Sequence, residues 1–135
     1  MLKFSDTVRT ARAQVLATAI DTGSAAGPAT LKIYTGGRPA PGAAITSQQL
    51  LVTLQFPNPC AQSVTVGVLT LKPLVEQMAT GNGAPAWGRI FNRDGAFVAD
   101  LDVGPPASGA DLEIPTDELF AGALVRINTA TITEP

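Results

Sequence analysis

Carboxylates are the side chains of this 135-residue chain that are numerous and closely spaced enough for acid–base chemistry. Three pairs stand out: Asp100 with Asp102, Asp111 with Glu113, and Asp117 with Glu118. On an extended strand, i,i+2 spacing turns both members of each of the first two pairs to one face. Two carboxylates held at a set separation across a cleft are what glycoside hydrolysis requires. Asp111 and Glu113, however, alternate with Leu112 and Ile114, the pattern of a solvated strand face. Histidine, the commonest general base and metal ligand, is absent, which excludes Ser-His and Cys-His arrangements. The single thiol, Cys60, sits between Pro59 and Ala61 with no base to activate it and no partner for an intramolecular disulfide. A structural Cys60 is the expectation.

Two further stretches have a chemical reading and a plain one. "TLKIYTGGRPAP", residues 30–41, sets Gly36-Gly37-Arg38 after an alternating segment, which could cradle a phosphate. A phosphate loop needs a longer glycine frame ending in Lys and Ser or Thr, then a helix whose N-terminus faces the anion. Pro39 and Pro41 deny that helix, so the stretch reads as a turn, with Arg38 free to hold a carboxylate of the chain or of a partner. "NRDGAFVADLD" has the acidic look of a calcium loop, and Asp94, Asp100 and Asp102 could flank a structural cation. Its middle, Ala-Phe-Val-Ala, supplies apolar strand in place of oxygen ligands. A hairpin turning on Asp94-Gly95 is the better account. No catalytic, cofactor-binding or metal-ligating residue is assigned.

The composition is 45% hydrophobic and 15% charged, too apolar and too weakly charged for a disordered chain. A net charge of −2, with the basic residues scattered from Lys3 to Arg126, argues against nucleic-acid binding through a basic face. No apolar run reaches the ~18 residues that span a membrane, and the start lacks a signal-peptide pattern. A cytoplasmic site of synthesis is expected.

The elements that must position these residues are a helix followed by strands. "SDTVRTARAQVLATAIDTG" has helical spacing: Val8, Ala11, Val15, Leu16, Ala19 and Ile20 form one stripe, with Arg9, Thr10, Gln14, Thr18 and Asp21 opposite. Ser5 or Asp6 caps its start and Gly23 ends it in a left-handed turn. After "SAAGPA" the period becomes two. Strands are expected at 30–34, at 50–56 and through "SVTVGVLTLK", where a phase slip near Gly67 predicts a bulge or bend. Others follow at 87–91, at 96–103 with Phe97, Ala99 and Leu101 on one side, at 110–114, and as one long strand in "ALVRINTATIT". Leu74, Val75 and Met78 could form a helical turn. The expected fold is mainly β: an antiparallel β-sandwich or jelly-roll-like barrel with one N-terminal helix, a single domain over 1–135 with the helix at 5–22 and the sandwich at 30–135.

With that pattern laid out, the chain resembles a family of small virion proteins encoded by tailed phages and prophages. The likeness rests on the helix and on "LKIYTGGRPA", "LLVTLQF", "GAPAWGRIFNRDGAFVADLDVG" and "ADLEIPTDELFAGALVRINTATIT", at 30–40, 50–56, 83–104 and 110–133. "TLKPLVEQMATGNG" departs from it in being bulkier than a small-residue linker. These are turn and core signatures, and no functional residue carries over with them. The resemblance implies a non-enzymatic capsid decoration or minor capsid protein that sits on the virion surface. It would be made in the host bacterial cytoplasm and would contact the major capsid protein as a homo-oligomer, a trimer. A head–tail connector or tail component is the alternative. A carbohydrate-binding module is the distant one, since aromatics are 5% of the chain and Tyr34 and Trp87, far apart in sequence, are not expected to form a stacking platform. Arg9, Arg12 and Arg38 are the candidate interface residues.

Overall fold

The computed structural model describes residues 2–24, 27–115, 118–127 and 130–134. Helix α1 spans Asp6–Asp21 and is capped by Ser5, whose hydroxyl accepts from the Val8 amide at 3.3 Å. The strands are β1 (Thr30–Thr35), β2 (Gln49–Gln55), β3 (Ala61–Thr65), β4 (Val68–Leu71), β5 (Gln77–Met78), β6 (Trp87–Phe91), β7 (Phe97–Gly104), β8 (Leu112–Glu113), β9 (Leu124–Val125) and β10 (Ala130–Thr133). They form a five-stranded sheet in the order β2-β1-β6-β7-β8, a three-stranded sheet β10-β4-β3 and a β5-β9 ribbon. The fold is mainly β and sandwich-like, with the N-terminal helix against it. Pairing is antiparallel except at β7–β8, which run parallel.

One apolar cluster joins these pieces. Leu31 and Ile33 of β1, Leu54 of β2, Leu69 of β4, Ile90 of β6 and Ile114 after β8 meet Ala13, Ala17 and Ile20 of the helix. Each buried Leu or Ile contributes about 1.5–3 kcal/mol relative to exposure.

The helix is rotated from its expected facing. Ala13, Ala17 and Ile20 are buried, whereas Val8 and Val15 are exposed. Two polar anchors set this rotation: the Gly67 amide donates to Thr10 Oγ1 at 2.9 Å, and the Cys60 amide to Asp21 Oδ1 at 2.9 Å. With both ends tied to the β3–β4 hairpin, the alanines face it and let the helix backbone approach closely. Cys60 Sγ lies 3.6 Å from the Ala17 carbonyl oxygen. At the C-terminus Thr22 is extended, and Gly23 has φ 148° instead of a left-handed helical turn. A Cβ there would meet Arg93 Cβ at 2.7 Å.

Three other expectations are corrected. The phase slip near Gly67 is a complete chain reversal, because Val66 (φ 51°) and Gly67 (φ 74°) form a two-residue turn between β3 and β4. Leu74 to Met78 is extended, not helical, since it covers the edge of β2: the Val75 amide donates to the Gln55 oxygen at 2.9 Å and the Thr80 amide to the Leu51 oxygen at 2.7 Å. The terminal segment is two strands, β9 and β10, in different sheets, with Val125 and Ile127 buried. The hairpin at 92–96 is present. The Asn92 amide donates to the Ala96 oxygen at 2.9 Å, the Asn92 side chain accepts from the Asp94 and Ala96 amides, and Gly95 takes φ 81°.

Candidate functional site

Of the polar residues singled out by spacing, Asp100, Asp102 and Arg38 meet on the outer face of the five-stranded sheet, where they are joined by Arg89, which the sequence reading did not single out. Tyr34 of β1 lies opposite Trp87 of β6, Trp87 opposite Asp102 of β7, and Arg89 opposite Asp100. Arg89 Nε and Nη2 donate to the two oxygens of Asp100 at 2.7 and 3.0 Å, and Nη1 to the Ala43 carbonyl at 2.7 Å. The guanidinium also lies over the Trp87 ring at 5.2 Å and the Phe97 ring at 5.3 Å. Residues 36–48 fold over this face. The Gly42 amide donates to Asp100 Oδ2 at 3.3 Å, and Arg38 Nη1 meets Asp102 Oδ1 at 2.9 Å.

This arrangement changes the reading of the Asp100–Asp102 pair. Both carboxylates do share a face, but each is held by its own guanidinium, and Asp100 is buried. Hydrogen bonding to Asp100 holds the Arg89 pKa above its usual value despite burial. Burial likewise raises the Tyr34 phenol, with Arg89 opposing and Asp100 adding to the shift. The cluster is a polar clamp that fastens the 36–48 loop to the sheet, buried at Arg89–Asp100 and exposed at Arg38–Asp102. Asp102 stays exposed, but both carboxylates of the pair are committed to a guanidinium.

Gly36-Gly37-Arg38 is a turn off the end of β1. Gly36 has φ 96°, no helix follows, and the Gly37 carbonyl accepts from Gln48 Nε2 at 2.7 Å. Tyr34 and Trp87 do come together, contrary to expectation, with ring centroids 4.6 Å apart and planes 15° from parallel. Both are buried, so the stack offers no open face to a sugar ring. The indole Nε1 has no hydrogen-bond partner among the described residues.

The other acidic candidates are dispersed. Asp111 Oδ2 accepts from the Asp102 amide and Glu113 Oε2 from the Gly109 amide, at 3.1 and 3.2 Å. Both line an open polar cleft of about 360 Å³ with Thr131 and Thr133. Asp94 Oδ1 accepts from the Ser24 amide at 3.0 Å, and Asp100 is committed to Arg89. Among the described residues no three His, Cys, Asp or Glu side chains group as metal ligands. Asp117, and with it the Asp117–Glu118 pair, lies outside the described residues. Cys60 is fully buried, and desolvation together with Asp21 pushes its thiol up to about 12. No helix of the described residues is long and apolar enough to cross a membrane.

The three interface arginines all have partners within the chain. Arg9 pairs with Asp6 at 2.9 Å and donates from Nε to the Glu134 carbonyl oxygen at 3.0 Å. Arg12 meets the Glu134 carboxylate at 3.2 Å and covers the Phe4 ring at 4.7 Å. Together they fasten the end of the chain to α1. Arg38 and Arg12 stay about two-fifths exposed, so each can be shared with a second chain.

Exposed apolar side chains are the feature that the sequence reading did not single out. Met78 and Leu124 face each other across the β5–β9 ribbon, 58% and 63% exposed. Glu76 and Arg126 are paired beside them, 2.6 Å apart, and exposed Phe120 lies in the turn leading into β9. A second apolar stretch is the groove of about 360 Å³ along α1, lined by Val15, Leu16, Ala19 and Val98 between Arg12 and Glu134. No family model matches the chain, and no curated protein or solved structure matches it either.

Proposed function

We propose that this chain is a non-enzymatic structural protein of a phage virion, decorating or stabilising the capsid shell as a symmetric oligomer, a trimer. The observation that carries the reading is the division of its surface. The clamp carboxylates and the interface arginines are paired inside the chain, while Met78 and Leu124 on a hydrogen-bonded ribbon, and Phe120 in the turn leading into it, stand out in solvent. Large exposed apolar side chains next to an ion pair are what a contact surface requires. Several weak copies of such a contact add up on a lattice through effective concentration. The major capsid protein is the partner that the virion resemblance implies.

The test is addition of the purified chain to shells assembled without it, followed by sedimentation and a density map. Saturable binding at fixed lattice positions, lost in a Met78→Asp/Leu124→Asp variant that still folds, is the expected result. A map with this chain only in the tail rejects the capsid placement in favour of the connector reading. A clean monomer by light scattering at micromolar concentration rejects the preformed trimer.

A further inference from the structure

Most strand edges of this molecule are guarded. The outer edge of β2 is capped by hydrogen bonds from Val75, Thr80 and Gly81 to Gln55 and Leu51. β8 is two residues long, and β10 runs beside the carboxylates of Asp111 and Glu113 and ends at the paired Glu134. Short edges, covering segments and charge are the usual protections against pairing with another chain. β3 has none of these, and its one irregularity is a register shift between Ala61 and Ser63 that leaves Ser63 to Thr65 in regular pairing. It is five residues long, it is the edge of its sheet, and no charged residue occurs between Arg38 and Lys72.

The turn geometry says which backbone groups are free. A two-residue turn at Val66-Gly67 makes Thr65 and Val68 the hydrogen-bonded pair that closes the hairpin. By alternation the N–H and C=O of Val64 then point away from β4, and no described residue bonds to either. Val64 itself packs its side chain on the core, while Gln62, Ser63 and Thr65 are exposed and neutral. We infer that β3 is a self-association edge: it pairs antiparallel with β3 of a second copy about a twofold axis at Val64.

In that register the two Val64 residues exchange their free N–H and C=O groups, and Ser63 of each copy lies opposite Thr65 of the other. A second copy is the occupant because an uncharged, neutral-faced strand with two outward bonds is matched by an identical strand. No like charges oppose each other across the axis. Two three-stranded sheets become one of six, and the α1 helices are left in place on the inner face. The contact uses none of Met78, Phe120 or Leu124. It is a twofold contact, separate from the threefold one proposed above, and it joins single chains or trimers in pairs.

The experiment is sedimentation equilibrium on the full chain and on two charge variants, Ser63→Lys/Thr65→Lys and Ser63→Glu/Thr65→Glu. Like charges then face each other twice across the axis, and the dissociation constant of the twofold contact should rise roughly tenfold or more in each variant alone. An equimolar mixture of the two variants should restore association. Unchanged circular dichroism and melting would show that both variants fold. Hydrogen exchange should show the Val64 amide protected in the associated parent protein and not in either variant. A parent protein without concentration-dependent pairing, variants that pair as well as the parent, or a mixture that fails to recover overturns the inference. Each of these outcomes leaves shell binding through the β5–β9 ribbon to be judged separately.

Discussion

Arg89 and Asp100 face each other across the β6–β7 pair with two hydrogen bonds, and their side chains are 6% and 4% exposed. A bidentate pair this dry is costly to break from one side, because the surviving charge is left desolvated. Asp100→Ala should therefore cost about 3–5 kcal/mol in urea unfolding. Arg89→Met/Asp100→Leu should recover most of that loss, since it removes both charges together. A double variant no more stable than Asp100→Ala would show that the pair does not account for the cost.

Val66 and Gly67 should respond with opposite signs although they are neighbours. Val66 is a β-branched residue at φ 51° and 59% exposed, so Val66→Asn relieves backbone strain at little packing cost. A gain of about 0.5–1 kcal/mol is expected in thermal unfolding. Gly67→Ala adds a Cβ at φ 74°, 2.8 Å from Arg9 Cβ, and should destabilise by about 1–3 kcal/mol.

Cys60 sets an alkaline limit. Its thiol ionises near 9.0 when free and near 12 when folded, so between those values the unfolded chain holds fewer protons. The contribution is fully present below pH 9 and is lost as pH rises toward 12, with a slope of about 1.4 kcal/mol per pH unit. Cys60→Ala should flatten the fall in stability between pH 9 and 12. Some slope will remain above pH 10 from Tyr34, whose raised phenol acts in the same direction. In the folded parent, thiol reagents at pH 8 should react only as fast as the chain opens.

Arg38 and Asp102 form an exposed pair, so Arg38→Ala should change stability by less than about 1 kcal/mol. That makes it a clean probe: a fall in shell binding by this variant, with unchanged melting, would report a lost contact with a partner.

Much of the architecture was legible because strand alternation and turn chemistry act locally. Leu31 and Ile33, Leu112 and Ile114, and the Asn92–Ala96 turn fell where the pattern put them. The helix boundaries were equally plain, since Ser5 is a capping residue and Asp21 is followed by a break. Its buried face was not, because Ala13 and Ala17 carry a weaker apolar signal than Val8 and Val15. What chose the alanines was the distance at which Thr10 and Asp21 tie the helix to a hairpin far away in sequence.

The polar clamp depended on one residue of register. Counting back from the Asn92–Ala96 turn puts Arg89 opposite Ala99, but a bulge between Ile90 and Phe91 shifts the pairing and brings Asp100 to it. The same bulge sets Phe97 over Arg89 instead of in line with Leu101. Tyr34 and Trp87 met only because β1 and β6, separated in sequence by strands β2 to β5, are neighbours in space.

By itself the sequence determined a helix followed by strands, the absence of histidine chemistry, a thiol with no base to activate it and a turn at Gly36-Gly37 in place of a phosphate loop. Those follow from residue types and short-range backbone preference. The tertiary structure decided which face of the helix is buried, which carboxylates are neutralised, and which strand edge is left bare. Such matters depend on register and on contacts between distant segments, and no local propensity encodes them.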